Sequence, residues 1–157
     1  MNKLVIVEWQ DEFRQDFISL SLEWLEKYVS VEPVDLEILN DPEGYILSGG
    51  GAIFFARYDD KIVGTVSMIP RGQGVYELAK LAVTEKHKGL GIGHHLMERC
   101  TEFARENGAV KIILFTTGVL AAAVNLYRQH GYIEVEMKDN KYLEADIRME
   151  LSLPSSC

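Results

Sequence analysis

Lys88-Gly89-Leu90-Gly91-Ile92-Gly93-His94-His95-Leu96-Met97 sets three glycines at alternate positions between an apolar run, Leu78 to Val83, and a helix-like pattern. Glycine lets the backbone approach a ligand closely and take up positive φ. A glycine-rich turn that opens a helix also leaves several N–H groups aimed outward at the positive end of the helix dipole, which makes a cradle for phosphate. The spacing excludes two phosphate-binding motifs. A Walker A loop needs Gly-Lys followed by Ser or Thr, and neither Gly91 nor Gly93 precedes a lysine. A dinucleotide fingerprint needs a third glycine at position 94 or 96, which hold His94 and Leu96, within an N-terminal βαβ unit. This loop lies past the middle of the chain.

Outward from the loop, the pattern alternates strands and helices. Lys3 to Glu8 reads as a first strand. Asp11 is placed to cap a helix running to about Ser30, in which Phe13, Phe17, Leu20, Trp24 and Tyr28 recur at three- and four-residue steps. That spacing favours core packing for Trp24 and Tyr28 over a place in a substrate pocket. Pro33 suits the first turn of a short second helix ended by Asn40 to Gly44. Ala52 to Arg57 and Lys61 to Ile69 flank Asp59-Asp60 as a hairpin, and the turn Pro70 to Gly74 leads into a strand from Val75 to Thr84. The helix after the glycine loop directs Ile92, Leu96, Cys100 and Phe103 to the core and stops at Asn107-Gly108. Lys111 to Phe115 is a strand and Val119 to His130 a helix closed by Gly131. Tyr132 to Met137 and Leu143 to Leu151 are the last strands.

The chain has 157 residues, 47% apolar and 25% charged, with a formal net charge of −8. This describes one ordinary globular domain, and the acidity argues against a nucleic-acid partner, whose surface attracts a basic face. Lys86, His87, Lys88, His94 and His95 nevertheless crowd around the glycine loop, a local positive cluster suited to an anionic cofactor. The histidines lack a carboxylate or thiolate to complete a metal set, so no metal is expected. No apolar run reaches the roughly 20 residues of a membrane span, and the N-terminus lacks a signal-peptide layout. Two cysteines, Cys100 on an apolar helix face and Cys157 at the end, form no disulfide framework and predict a cytoplasmic setting.

Lys88-x-x-Gly91-x-Gly93 resembles the Arg/Gln-x-x-Gly-x-Gly/Ala pyrophosphate loop of the GNAT superfamily of N-acetyltransferases, with lysine in first position. Glu77-Leu78-Ala79-Lys80-Leu81-Ala82-Val83 resembles that superfamily's central strand. Asn125-Leu126-Tyr127-Arg128-Gln129-His130-Gly131-Tyr132 resembles its Leu-Tyr-x-x-x-Gly-Phe segment, with Tyr132 in place of phenylalanine. The match covers roughly Phe54 to Leu151. Thr116-Thr117-Gly118 and Leu120 depart from it, standing where many relatives carry a cofactor-contacting asparagine. The resemblance implies a single α/β domain over residues 1–153 with a mixed, mostly antiparallel central sheet flanked by helices, followed by a disordered tail, 154–157. It implies an acetyl-CoA-dependent N-acetyltransferase acting on a small-molecule amine, with a homodimer possible; transfer of another acyl group is an open alternative. A non-catalytic acyl-CoA sensor or interaction module is the alternative from a different class.

The resemblance assigns cofactor binding to Leu81, Ala82 and Val83, whose main chain meets the pantetheine, and to Lys88, Gly89, Leu90, Gly91, Ile92 and Gly93, whose amides meet the pyrophosphate. Tyr127 shares a helix face with Leu120, Ala123 and Val124, small and apolar enough to leave room for a cofactor arm. The motif around it makes Tyr127 the candidate that protonates the departing thiolate. Glu77 lies in a strand apolar on both faces, where burial readies a carboxylate to take a proton from an ammonium. Its position matches a glutamate base of some superfamily members. The other reading of Glu77 is a carboxylate paired with a nearby lysine, arginine or backbone amide.

Overall fold

The computed structural model describes residues 3–154. Cys157 and most of the expected tail lie outside the described residues. Seven strands form one sheet: β1 Leu4–Glu8, β2 Ala52–Tyr58, β3 Lys61–Pro70, β4 Val75–Val83, β5 Lys111–Thr116, β6 Ile133–Val135 and β7 Ile147–Ser152, in the order β1-β2-β3-β4-β5-β7-β6. Among the described residues only β4 and β5 pair in parallel; every other pairing there is antiparallel. The β2–β3 hairpin turns on Asp59 and Asp60, both at positive φ (49° and 67°), the backbone that matches strand twist in a two-residue turn.

Four helices cover the sheet: α1 Arg14–Tyr28, α2 Pro33–Asn40, α3 Ile92–Glu106 and α4 Ala121–Gln129. Strands that alternate their side chains feed two separate cores. Phe54, Ala56, Val66, Met68, Leu78, Ile112 and Leu114 pack with Ile92, Leu96, Met97 and Cys100 of α3 and with Val124 and Tyr127 of α4. On the other side Ile53, Phe55 and Ile69 pack with Phe17 of α1, with Ile38 and Leu39 of α2, and with Ile46 in the wide turn Glu43–Leu47. Cys100 is fully buried, and burial pushes its thiol well above the ordinary range. No described helix is long and apolar enough to cross a membrane.

The single α/β domain and its mixed sheet are as the sequence implies; several element ends are not. Asp11 does not cap a helix. It begins a short 3₁₀ turn, Asp11–Phe13, and accepts a hydrogen bond from the Trp9 indole at 3.1 Å, so α1 starts only at Arg14. The last strand starts at Ile147 rather than Leu143. Asp139 takes a positive φ of 56° and the Asn140 side chain accepts the Tyr142 N–H at 2.9 Å, which turns this stretch into a loop.

Candidate active site

The site grows from a break in the sheet. β4 pairs with β5 only at Val75↔Lys111, Tyr76↔Ile112 and Glu77↔Ile113. Beyond Glu77 the two strands diverge. A bulge accompanies the divergence: Ser67 of β3 faces Ala79, whereas Thr65 faces Ala82, and Lys80 sits at φ 58°. Bulges bend a strand and redirect its side chains, and they recur beside active sites. The edge of β4 facing β5 therefore carries main-chain groups with no strand partner from Leu78 onward.

An open groove of about 830 Å³ runs from this break to the start of α3. Leu81, Val83, Lys88, Gly89, Gly91, Ile92, Gly93 and Tyr127 line it. Gly91 precedes α3 in the left-handed region (φ 76°, ψ 13°), and Gly89 is also at positive φ. A Cβ built on either would meet nothing within 4 Å, so the space over the helix start is open to a ligand. Free N–H groups, the helix dipole and this open cradle fit a phosphate group. Two residues expected to bind cofactor differ in placement. Ala82 lines the adjoining pocket rather than the groove, and Leu90 lines neither, with its side chain half-exposed. Lys88 is engaged by the Tyr28 hydroxyl and by Glu85, at 2.6 Å from the latter, and its ammonium lies 4.1 Å from the centre of the Tyr28 ring. Lys27 and then Lys88 hold the Glu85 carboxyl down at about 2.

A smaller pocket of about 120 Å³ adjoins the groove, and both are lined by Trp24, Leu81, Leu120 and Tyr127. Trp24 and Tyr28 are thus groove walls, half-buried with ring centroids 5.4 Å apart, and not the core residues their spacing favours. They share one helix face because 3.6 residues per turn brings i and i+4 together, whichever side that face meets. Tyr127 is 9% exposed at the junction of the two spaces, and burial pushes its phenol up to about 12.

Glu77 lines the small pocket with its carboxylate fully engaged. Oε1 accepts bonds from Arg71 Nε at 2.9 Å and Nη2 at 2.7 Å, and Oε2 accepts from the Tyr142 hydroxyl at 2.6 Å. Burial, then Glu77, drives the Tyr142 phenol far above its ordinary value. Beside it, Lys80 is bonded to Asp35 with both side chains at most 5% exposed, and Asp35 also accepts the Glu32 N–H at 2.8 Å. Glu32 in turn accepts the N–H groups of Leu143 and Glu144 at 2.7 and 2.9 Å, which ties the 138–146 loop over the pocket mouth to the start of α2.

Arg71, Tyr142 and Asp35 carry no sequence motif and meet Glu77 or Lys80 only through the fold, and Glu32 joins them through Asp35. Lys80 alone left a signal, a single charge inside the apolar run Leu78 to Val83, which demands a buried partner. Of the histidines around the glycine loop, His87 and His94 line the groove, and His94 Nδ1 lies 2.9 Å from Nε2 of His130 at the end of α4.

The model of the acetyltransferase (GNAT) family matches residues 7–132. Rat N-acetyltransferase 8B (Rattus norvegicus) is 30% identical over 95 residues, 57% of this chain and 43% of the rat protein. The N-acetyltransferase YobR of Bacillus subtilis, itself uncharacterized, is 37% identical over 82 residues, 50% of this chain and 32% of its own. The match therefore spans less than half the length of these curated relatives. A GNAT-family acetyltransferase from Staphylococcus aureus Mu50 superposes with a TM-score of 0.88 at 21% identity, covering 97% of this chain and 100% of its own. YncA of Salmonella typhimurium, in a structure with its cofactor acetyl-CoA, superposes with a TM-score of 0.77 at 17% identity over 99% of this chain and 96% of its own. A split β4–β5 pair, a glycine cradle opening α3 and a family match across most of the chain agree: this protein belongs to the GNAT acetyltransferase family.

Proposed function

We propose that the chain is an acetyl-CoA-dependent N-acetyltransferase that moves the acetyl group directly to the primary amine of a small molecule. The observation that carries this reading is the meeting of two spaces at Tyr127, a groove ending in a phosphate cradle and a small pocket holding Glu77. Acetyl-CoA, when bound, supplies an activated thioester. The amides of Gly89 to Gly93 hold its pyrophosphate, with Lys88 adding a point charge once released from Glu85. The free main-chain edge at Leu81, Ala82 and Val83 holds the pantetheine and aims N–H donors at the oxygen where negative charge develops. Glu77 takes the proton from the acceptor amine, directly at Oε2 or through the Tyr142 hydroxyl that bonds it. Tyr127, fully protonated at neutral pH with its phenol at about 12, would serve as the donor to the leaving thiolate. The dry surroundings that raise the phenol raise the affinity of a thiolate for a proton too, which keeps the transfer feasible.

Calorimetry with coenzyme A tests the cofactor half. Ligand at 100 times its Kd is expected to stabilise the protein by about 2.7 kcal/mol, a rise in Tm of about 5–11 °C for a domain of this size. Gly91→Ala places a methyl group in the open cradle and holds an L-residue at positive φ. The expected outcome is loss of most of the coenzyme A shift, with an intrinsic cost of about 1–2 kcal/mol. No coenzyme A binding at millimolar concentration in the wild-type protein overturns the assignment.

Glu77→Gln keeps the shape but cannot accept a proton. Activity is expected to fall at every pH and most at low pH, where the acceptor is most protonated, with the acidic limb of kcat/KM flattened or moved. An unchanged rate and pH profile would leave Glu77 as the structural partner of Arg71 alone.

A further inference from the structure

The small pocket has a charge surplus that its own pairings do not absorb. Glu32, Asp35, Glu77 and Glu144 line it against one cation, Lys80, and Lys80 is already held by Asp35. With Arg71 counted behind Glu77, four carboxylates face two cations. A second feature is independent of the charges. Ser21, from α1, lines the same pocket at 2% exposure, and its hydroxyl has no hydrogen-bond partner among the described residues. A buried hydroxyl without a partner costs free energy unless a ligand or water supplies one. The volume of about 120 Å³ sets the size; a cavity of roughly 150 Å³ accommodates benzene, so the occupant has roughly six heavy atoms. Trp24 and the Phe115–Tyr142 pair, centroids 5.8 Å apart, offer apolar walls for an alkyl chain and ring faces for a cation.

We propose that the acceptor is a short aliphatic diamine, bound as a dication. This rests on the acetyltransferase reading and narrows its acceptor. The reacting ammonium gives its proton to Glu77, which cancels one surplus charge, and the second ammonium stays charged and cancels the other. That second group is met by the Glu144 and Glu32 carboxylates at the mouth and by Ser21 Oγ. An acceptor carrying a carboxylate finds no unpaired cation among the described lining residues and adds to the surplus.

The test compares 1,4-diaminobutane with 1-aminobutane and 4-aminobutanoate, which match its length and carry a methyl group or a carboxylate at the far end. Binding is measured by calorimetry on the free protein and on its coenzyme A complex, and turnover by thiol release. The diamine is expected to exceed both in affinity and in kcat/KM by at least about tenfold. Glu144→Gln, at an exposed position that leaves the fold intact, and Ser21→Ala are each expected to shrink the ratio of diamine to monoamine. Equal or better use of either analogue, an unchanged ratio in both variants, or no diamine binding in either form overturns the proposal. Failure of coenzyme A itself to bind is a separate result, which strikes the cofactor reading instead.

Discussion

Tyr127→Phe is expected to lower kcat by about 10²–10⁴-fold, the span attributed to general acid catalysis, while coenzyme A affinity stays near wild type. The ring is held by packing, with Tyr132 at 6.2 Å between centroids, and among the described residues the hydroxyl has no hydrogen-bond partner to lose. Stability should therefore change little, which separates a chemical role from a structural one. The raised phenol adds a pH signature. With its value at about 12, Tyr127 stays protonated through the range where enzymes are assayed, so an alkaline limb within that range belongs to another group. Near-full turnover in the variant would mean that water protonates the thiolate.

The second large effect is on the fold. Asp35→Leu strands the Lys80 ammonium inside the protein, at a side-chain exposure of 5%. Removing one partner of a buried pair costs about 3–5 kcal/mol, which corresponds to a fall in Tm of about 6–20 °C for a domain of this length. Adding Lys80→Met to Asp35→Leu removes the orphaned charge, and the double variant is expected to recover most of the loss. Thermal or urea denaturation of the four proteins gives the coupling. If the single variant melts as the wild type does, solvent reaches Lys80 and the pair is not a buried one.

The residues legible in the sequence are those whose signal is local. The glycine loop, the β4 run and the Tyr127 segment each announce themselves within ten positions, and the Asp59-Asp60 turn follows from backbone preference alone. The acceptor pocket is different. Tyr142 reaches Glu77 from a loop that reads as the approach to a strand, because Asn140 bends the chain through a side-chain bond that hydropathy patterning does not register. Arg71 sits in a turn whose composition says only that the chain reverses. Periodicity put Trp24 and Tyr28 on a common face of α1 without saying that this face overhangs a groove. Both readings of Glu77 were written into its burial, and its partners arrive from β3's end and the 138–146 loop.

The three-pair seam between β4 and β5 also bears on how the chain reaches its folded state. It divides the sheet into two parts that are each nearly continuous along the chain, Leu4 to Val83 and Lys111 to Ser152, with α3 between them. Within the first part the β2–β3 and β3–β4 hairpins pair neighbouring stretches, which close quickly because little loop entropy is spent. The seam must close across the whole of α3 and returns only three residue pairs for that closure, fewer than the β1–β2 and β5–β7 ladders, so it closes late. The cleft that the chemistry needs is thus the joint at which two folding units meet, and a ligand lying across it would tie together parts that the ladder itself holds only weakly.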